Sequence, residues 1–426
     1  MKCKYFLGLV FLCLVAANAF AARRYYVKPA GNDSNSGESW DAALKTIVKA
    51  TEKVKPGDEV WVAEGTYAES KTVVNSEGVA LYGGFAGTES KISERNISAH
   101  PTIIDGENAR QCVSNSGVLD GFHITRGKTD YGGGIDNNGT ATNCAVYNNS
   151  SSRDGGGIYN KGTVTNCTVY NNSSSRDGGG IYNSGTVTNC TVYGNNANDG
   201  GGIYNFDGTV TNCISWKNSF GDIGGIGSVK YSCFGEGDDS NGNFRVNPLF
   251  VNTTGDPSTW NLRLQNGSPC VDAGFVKDAP RMDIDGNKRP GADGKVCMGA
   301  YESPDGYEPQ PPRPVLGPFY VSKSGNDAND GLSWGTALKT ISAALNKIPD
   351  SDDLYQIWVA EGTYAEGQTL INPSRVALYG GFAGTESQLS ERDISAHPTI
   401  IDGEDARQCV KNSGVLDGFH ITRGKS

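Results

Sequence analysis

Apolar positions over much of this chain fall in short runs that alternate with polar ones, with no helical period in the repeats that begin at Gly132. Gly157-Ile158-Tyr159-Asn160 and Thr163-Val164-Thr165 are typical: β-branched or aromatic residues bounded by Gly or Asn. This is the chemistry of short strands joined by tight turns. From Gly132 the pattern recurs as a unit: GGGIDNNGTATNCAVYNNSSSRD, GGGIYNKGTVTNCTVYNNSSSRD, GGGIYNSGTVTNCTVYGNNAND and GGGIYNFDGTVTNCISWKNSFGD. Cys144, Cys167, Cys190 and Cys213 mark a period of 23 residues. A unit of that length with about three short strands forms one coil of a parallel β-helix, with equivalent positions stacked about 4.8 Å apart. Ile158, Val164, Cys167 and Val169 are expected to point inward, Asn166 to turn the chain, and the Gly triplet to form a tight corner or close approach.

Less regular coils are expected upstream, at VWVAEGTY, VALYGGF, TIIDG and GVLDGFHIT. Before them, Ser39 or Asp41 is placed as the cap of a helix reaching about Val54, with Ala43, Leu44, Ile47 and Val48 as its apolar stripe. A larger repeat is superposed on the small one. FYVSKSGNDANDGLSWGTALKTI from Phe319 copies YYVKPAGNDSNSGESWDAALKTI from Tyr25, and Val376 to Lys425 nearly repeats Val79 to Lys128. Ser333 and Thr336–Leu345 repeat the helix device. The fold expected is therefore all-β: a right-handed parallel β-helix with an N-terminal capping helix, followed by a truncated second copy of its N-terminal half. The divisions are residues 1–21 a signal peptide, 22–58 the opening strand and helix, 59–242 the coils, 243–303 a closing module, 304–317 a Pro-rich linker and 318–426 the second copy.

The leader is read from Lys2 and Lys4, the apolar stretch Tyr5 to Ala17, and the small residues Ala19 and Ala21, with cleavage after Ala21. No later apolar run is long enough to span a bilayer. Glycine is abundant, 58 of 426 residues, and net charge is −10, with 37 basic against 47 acidic residues. An acidic chain does not suit phosphate binding, which argues against a nucleic-acid partner. Export to the cell exterior or surface is the expected localisation.

Several residues suggest chemistry. His123 in DGFHITRG fits a strand residue. Asp105, Asp120, Arg126, Lys128 and Asp130 are the nearest approach to an acid–base cluster, but Asp105-Gly106 and Asp120-Gly121 read as turns and recur as Asp402 and Asp417. Asp154, Asp177 and Asp199, beside Arg153 and Arg176, form a charge ladder at one corner. Asp283, Asp285 and Asn287 offer oxygens at calcium-like spacing without the rest of an EF-hand; an Asx-turn is the plainer reading, and calcium is the one cofactor the sequence admits, none being required. Tyr147, Tyr170, Tyr193 and Trp216 follow the inward Val146, Val169, Val192 and Ser215, so they are expected to form an outward stripe, either a ladder stabilised by its own stacking or a surface able to stack on sugars; Tyr159, Tyr182 and Tyr204 form a second file. The four period-marking cysteines are expected to be free, and Cys270 with Cys297 to be a bonded pair.

The GGGIYN…NCTVYNN unit resembles the repeats of polymorphic outer membrane proteins. The opening YYVKPAGNDSNSGESWDAALKTI followed by GDEVWVAEGTY resembles the N-terminal region of pectate-lyase-like β-helix proteins. The stretch from Asn247 to Glu302, with SPCVDAG, MDIDGNKRP and CMGAYE, resembles the choice-of-anchor Q domain, save that Cys297 stands where that motif is usually acidic. These resemblances imply a bacterial surface protein. A non-catalytic adhesion or glycan-binding scaffold is the first reading, with an extracellular or cell-wall polysaccharide or a surface protein as partner. A polysaccharide lyase or glycoside hydrolase is the alternative, and no catalytic residue is assigned.

Overall fold

The computed structural model describes residues 22–235, 240–304, 316–348, 355–373, 376–412 and 414–425. The expected leader and most of the expected linker lie outside the described residues. The chain forms a parallel β-solenoid. Three sheets run along it: nine strands from Arg24–Val27 to Ser228–Lys230, eight from Gly65–Tyr67 to Cys233–Phe234, and seven from Val73–Asn75 to Ile223–Gly225. Each 23-residue unit gives one strand to each sheet. Ile158 pairs with Ile181, Thr163 with Thr186 and Thr168 with Thr191, so identical residues stack on one another. No helix among the described residues is long and apolar enough to cross a membrane.

The coil turns where the sequence demands it. Asn143, Asn166, Asn189 and Asn212 all adopt a left-handed backbone with φ near 50°, a conformation asparagine tolerates better than most residues. Gly155 has φ +66°, and a Cβ on Gly156 would lie 2.2 Å from the Ser173 carbonyl oxygen of the next coil. That corner therefore accepts only glycine. Ile158, Val164, Cys167 and Val169 are fully buried, as are their copies. Each Val or Ile so buried contributes about 1.5–3 kcal/mol relative to exposure.

Two polar ladders accompany the apolar core. Asn75, Asn115, Asn137, Asn160, Asn183 and Asn205 are buried, and each Nδ2 up to Asn183 donates to the Oδ1 of the next at 2.7–2.8 Å. The same amides donate to strand-end carbonyls such as Thr163 O and Thr186 O, at 3.0 and 3.3 Å. Asn149, Asn172, Asn195 and Asn218 form a second ladder, linked at 3.0 Å. The corners of the coil, where backbone groups leave one sheet before joining the next, are thereby hydrogen-bonded.

The four periodic cysteines are buried free thiols. Their Sγ–H groups donate to Thr142, Thr165, Thr188 and Thr211 carbonyls at 3.2–3.4 Å, and burial raises the Cys144, Cys167 and Cys190 thiols well above the usual range. Alkylation with iodoacetamide under native conditions is expected to label none of the four, and all of them after unfolding. Native labelling, or a mass-spectrometric bond between neighbours, would contradict this arrangement. The expected Cys270–Cys297 bond is not formed, since both are free. The Cys270 thiol sits beside Cys233, whereas that of Cys297 turns to Glu302.

The opening helix is shorter than expected. Helix α1 spans Ile47–Thr51, and its cap is Thr46, whose side chain accepts from the Lys49 N–H. Leu44 is held extended by a parallel bridge to Val27, and Asp33 accepts from the Lys45 and Thr46 N–H groups. A helix cannot start before that tether ends. Ser39 closes only a local turn, through the Ala42 N–H. Helix α1 buries Ile47, Val48 and Ala50 against the first coils. The described residues from 316 onward repeat this organisation: helix α2, Ile341–Lys347, is capped by Thr340, and the strands after it pair in the same order.

Candidate functional site

The first aromatic file is aligned as expected: Tyr147, Tyr170, Tyr193 and Trp216 occupy equivalent rungs. It is not an open stripe. After the last coil, residues 243–304 fold back along this face. Trp260 packs on Tyr170 at 6.0 Å and edge-on to Tyr193 at 5.1 Å, and Phe250 meets Tyr193 at 5.6 Å. Tyr193 is 6% exposed, and Trp216 joins a core with Val246, Leu264 and Cys270. The stripe is apolar enough to be covered, and the closing segment covers it from Tyr170 to Trp216. Gly194 stands where the preceding coils carry Asn148 and Asn171, and a Cβ there would lie 3.1 Å from the Trp260 ring.

The closing segment is latched to the left-handed asparagines. Asn166 Nδ2 donates to Met282 O at 2.6 Å and its Oδ1 accepts from Arg289 Nη1 at 2.8 Å. Asn189 donates to the Cys297 and Gly299 carbonyls, and Asn212 exchanges two hydrogen bonds with the Phe275 backbone. Arg289 is wholly buried and bonds Glu302 at 2.9 Å.

The residues offered as possible calcium ligands are engaged with donors of the protein itself. Asp283 accepts the N–H groups of Asp285, Asn287 and Glu302 and the Asn287 amide. Asp285 is gripped by Arg263 and by the Ser98 hydroxyl. These carboxylates serve N–H and guanidinium donors, and the run is an Asx-type turn. Asp272, Cys297 and Glu302 also converge, but Glu302 is held by Arg289 and Asp272 by Lys295.

The candidate acid–base residues are likewise not assembled into one cluster. Asp105 is paired with Arg126, and Asp120 with Arg95 at 2.6 Å and Asn143 at 2.8 Å. The pairs recur as Asp402–Arg423 and Asp417–Arg392 in the second copy. Lys128 and Asp130 lie on the edge of the short fourth sheet. His123 stands edge-on to Tyr147 at 6.2 Å, and burial lowers its pKa.

The second file stays open. Tyr159 stacks on Tyr182 at 4.9 Å and 12°, and Tyr182 on Tyr204 at 5.5 Å and 23°. Tyr131, absent from the sequence reading, extends one end at 5.4 Å; Phe206, 46% exposed, flanks the other at 6.2 Å from Tyr182. Lys161 lies over Tyr159 and Arg153 over Tyr131. Burial, then Tyr159, pushes the Tyr182 hydroxyl up to about 12, so it remains a donor at neutral pH. Because the rings face one another, they present outward a row of edges and hydroxyls rather than ring faces. Asp177 beside them is raised by burial and by Asp154.

Residues 143–161 and 166–184 match the Chlamydia polymorphic membrane protein (Chlamydia_PMP) repeat. Among curated proteins, none matches the chain. Two solved structures are similar to it. One, pectate lyase Pel9A, is 16% identical with TM-score 0.40, over 67% of this chain and 97% of that one. The other, a rhamnogalacturonan lyase, is 12% identical with TM-score 0.33, over 95% of this chain and 85% of that one.

Proposed function

We propose that this chain is a secreted or cell-surface β-solenoid that works by display and binding, without catalysis. Its contact face in this reading is the open file of Tyr159, Tyr182 and Tyr204, and its partner an extracellular or cell-wall polysaccharide or a surface protein. The observation that carries the reading is that file: aromatic, partly exposed and generated by the same repeat that matches the polymorphic membrane protein unit. The leader-like first 21 residues support export, and the likeness of Asn247 to Glu302 to the choice-of-anchor Q domain supports attachment. The pairing of Asp105 and Asp120 with arginines, duplicated in the second copy, favours binding over acid–base chemistry.

Replacing Tyr182 and Tyr204 together by alanine is expected to lower retention on immobilised polysaccharide or partner cells by about tenfold, as loss of two hydrogen-bonding aromatic contacts implies. The melting temperature should stay within a few degrees. Retention unchanged per folded molecule would refute the assignment. So would unsaturated uronate product from pectate, alginate or chondroitin, which would establish the lyase alternative.

A further inference from the structure

Where the closing segment crosses the coils it leaves a cavity of about 200 Å³ that the latch does not use. Its floor is the outer face of one sheet, with His123, Ala145 and Thr168 on successive coils and Tyr170 on the same strand as Thr168. Its roof is Trp260, Arg263 and Asp285 of the closing segment. The volume is below the range of about 300–1,000 Å³ usual for drug-sized ligands, which limits the occupant to about a single ring. The lining joins aromatic surface to hydroxyl, imidazole and amide groups, and hydroxyl-rich rings need both.

The charge of the site selects further. Arg263 is the cation of the cavity, but Asp285 holds it at 2.8 Å through Nε and at 2.6 Å through Nη2. Its guanidinium also lies 4.6 Å over the Tyr301 ring. A ligand carboxylate would approach Asp285 together with Arg263 and gain little. His123 adds no charge at neutral pH, since burial lowers its pKa. A second cavity of about 690 Å³, bordered by Asn287 and Lys288, shares the Arg263–Asp285 pair with the first.

We infer that the cavity between the closing segment and the coil face is a binding site for one neutral hexopyranose unit, free or at the end of a glycan. This site is separate from the open tyrosine file and stands or falls independently of it. For a ligand this small, a dissociation constant near the millimolar range is expected.

The test uses the mature full chain. Methyl glucoside, mannoside and galactoside, and the corresponding uronates, are titrated while the His123 imidazole resonance is followed by NMR and heat by calorimetry. At least one neutral glycoside should give a saturable shift of His123, and the uronates should bind more weakly. His123→Gln and Tyr170→Phe, which keep size and fold, should each weaken calorimetric binding about tenfold. Tyr182→Ala with Tyr204→Ala should leave it unchanged. The proposal is overturned if no neutral glycoside moves His123, if a uronate binds more tightly, or if binding is lost with the tyrosine-file variant instead.

Discussion

Replacing Asn160 with leucine is expected to lower the stability of the solenoid by about 3 kcal/mol or more, although leucine is apolar and close in size. Asn160 is fully buried. Its Nδ2 donates to Asn183 Oδ1 at 2.7 Å and to the Gly162 and Thr186 carbonyls at 3.3 Å. Its Oδ1 accepts from Asn137 Nδ2 at 2.8 Å and from the Gly162 N–H at 3.1 Å. Leucine restores none of these, and each buried group left without its partner costs about 1–3 kcal/mol. Burying a few more methyl groups cannot offset the loss of several at once. Because each coil touches only its neighbours, the damage should also divide the unfolding transition. Urea titration followed by circular dichroism reads both effects. A loss under about 1 kcal/mol with a single sharp transition would show the amide ladder to be incidental.

The second large effect is expected from Arg289→Met, which should release the closing segment while leaving the coils folded. Arg289 has no exposed side-chain surface and joins Glu302, Asn166 and the Gly299 carbonyl. Without it, Glu302 is a buried acid whose pKa, already raised by burial, loses a neighbour that lowers it. Breaking one partner of a buried ion pair typically costs about 3–5 kcal/mol. Trp260 would leave Tyr170 and Tyr193, so its fluorescence should shift red and protease should cut within 243–304. Adding Glu302→Gln should recover much of the loss, because the uncompensated charge is gone. A single variant that keeps protease resistance and Trp260 emission would show that the segment is held by its apolar contacts alone.

The coils were legible because their information is local. Period and alternation place Ile158 inside and Tyr159 outside, and the same parity places Asn160 inside. Asparagine was instead read as punctuation of the turn, so the buried amide ladder went unseen. Its recurrence at every IYN was the available signal. The fold-back over Tyr193 is non-local, and its one trace in the sequence is Gly194 in place of asparagine. The start of α1 was misplaced for a similar reason: Leu44 belongs by pattern to a helix stripe, but its backbone is taken by Val27. The Asx-turn at Asp283 was legible from its residue types, but its spacing says nothing of Arg263, which binds Asp285 from 22 residues away.

Tandem units as alike as those beginning at Gly132 and Gly155 invite slippage during replication, and a free solenoid would accept one coil more or fewer. Here the closing segment spans several coils at once. It grips Asn166, Asn189 and Asn212, yet its Asp285 also takes the hydroxyl of Ser98 from a loop that precedes the repeats. One unit inserted between Gly132 and Asn166 would slide Ser98 about 4.8 Å out of step with Asp285, and would draw His123 the same distance away from Trp260. The segment therefore acts as a gauge fitted to one copy number, and selection on it would hold the gene's repeat count steady where the repeat sequence alone would let it drift.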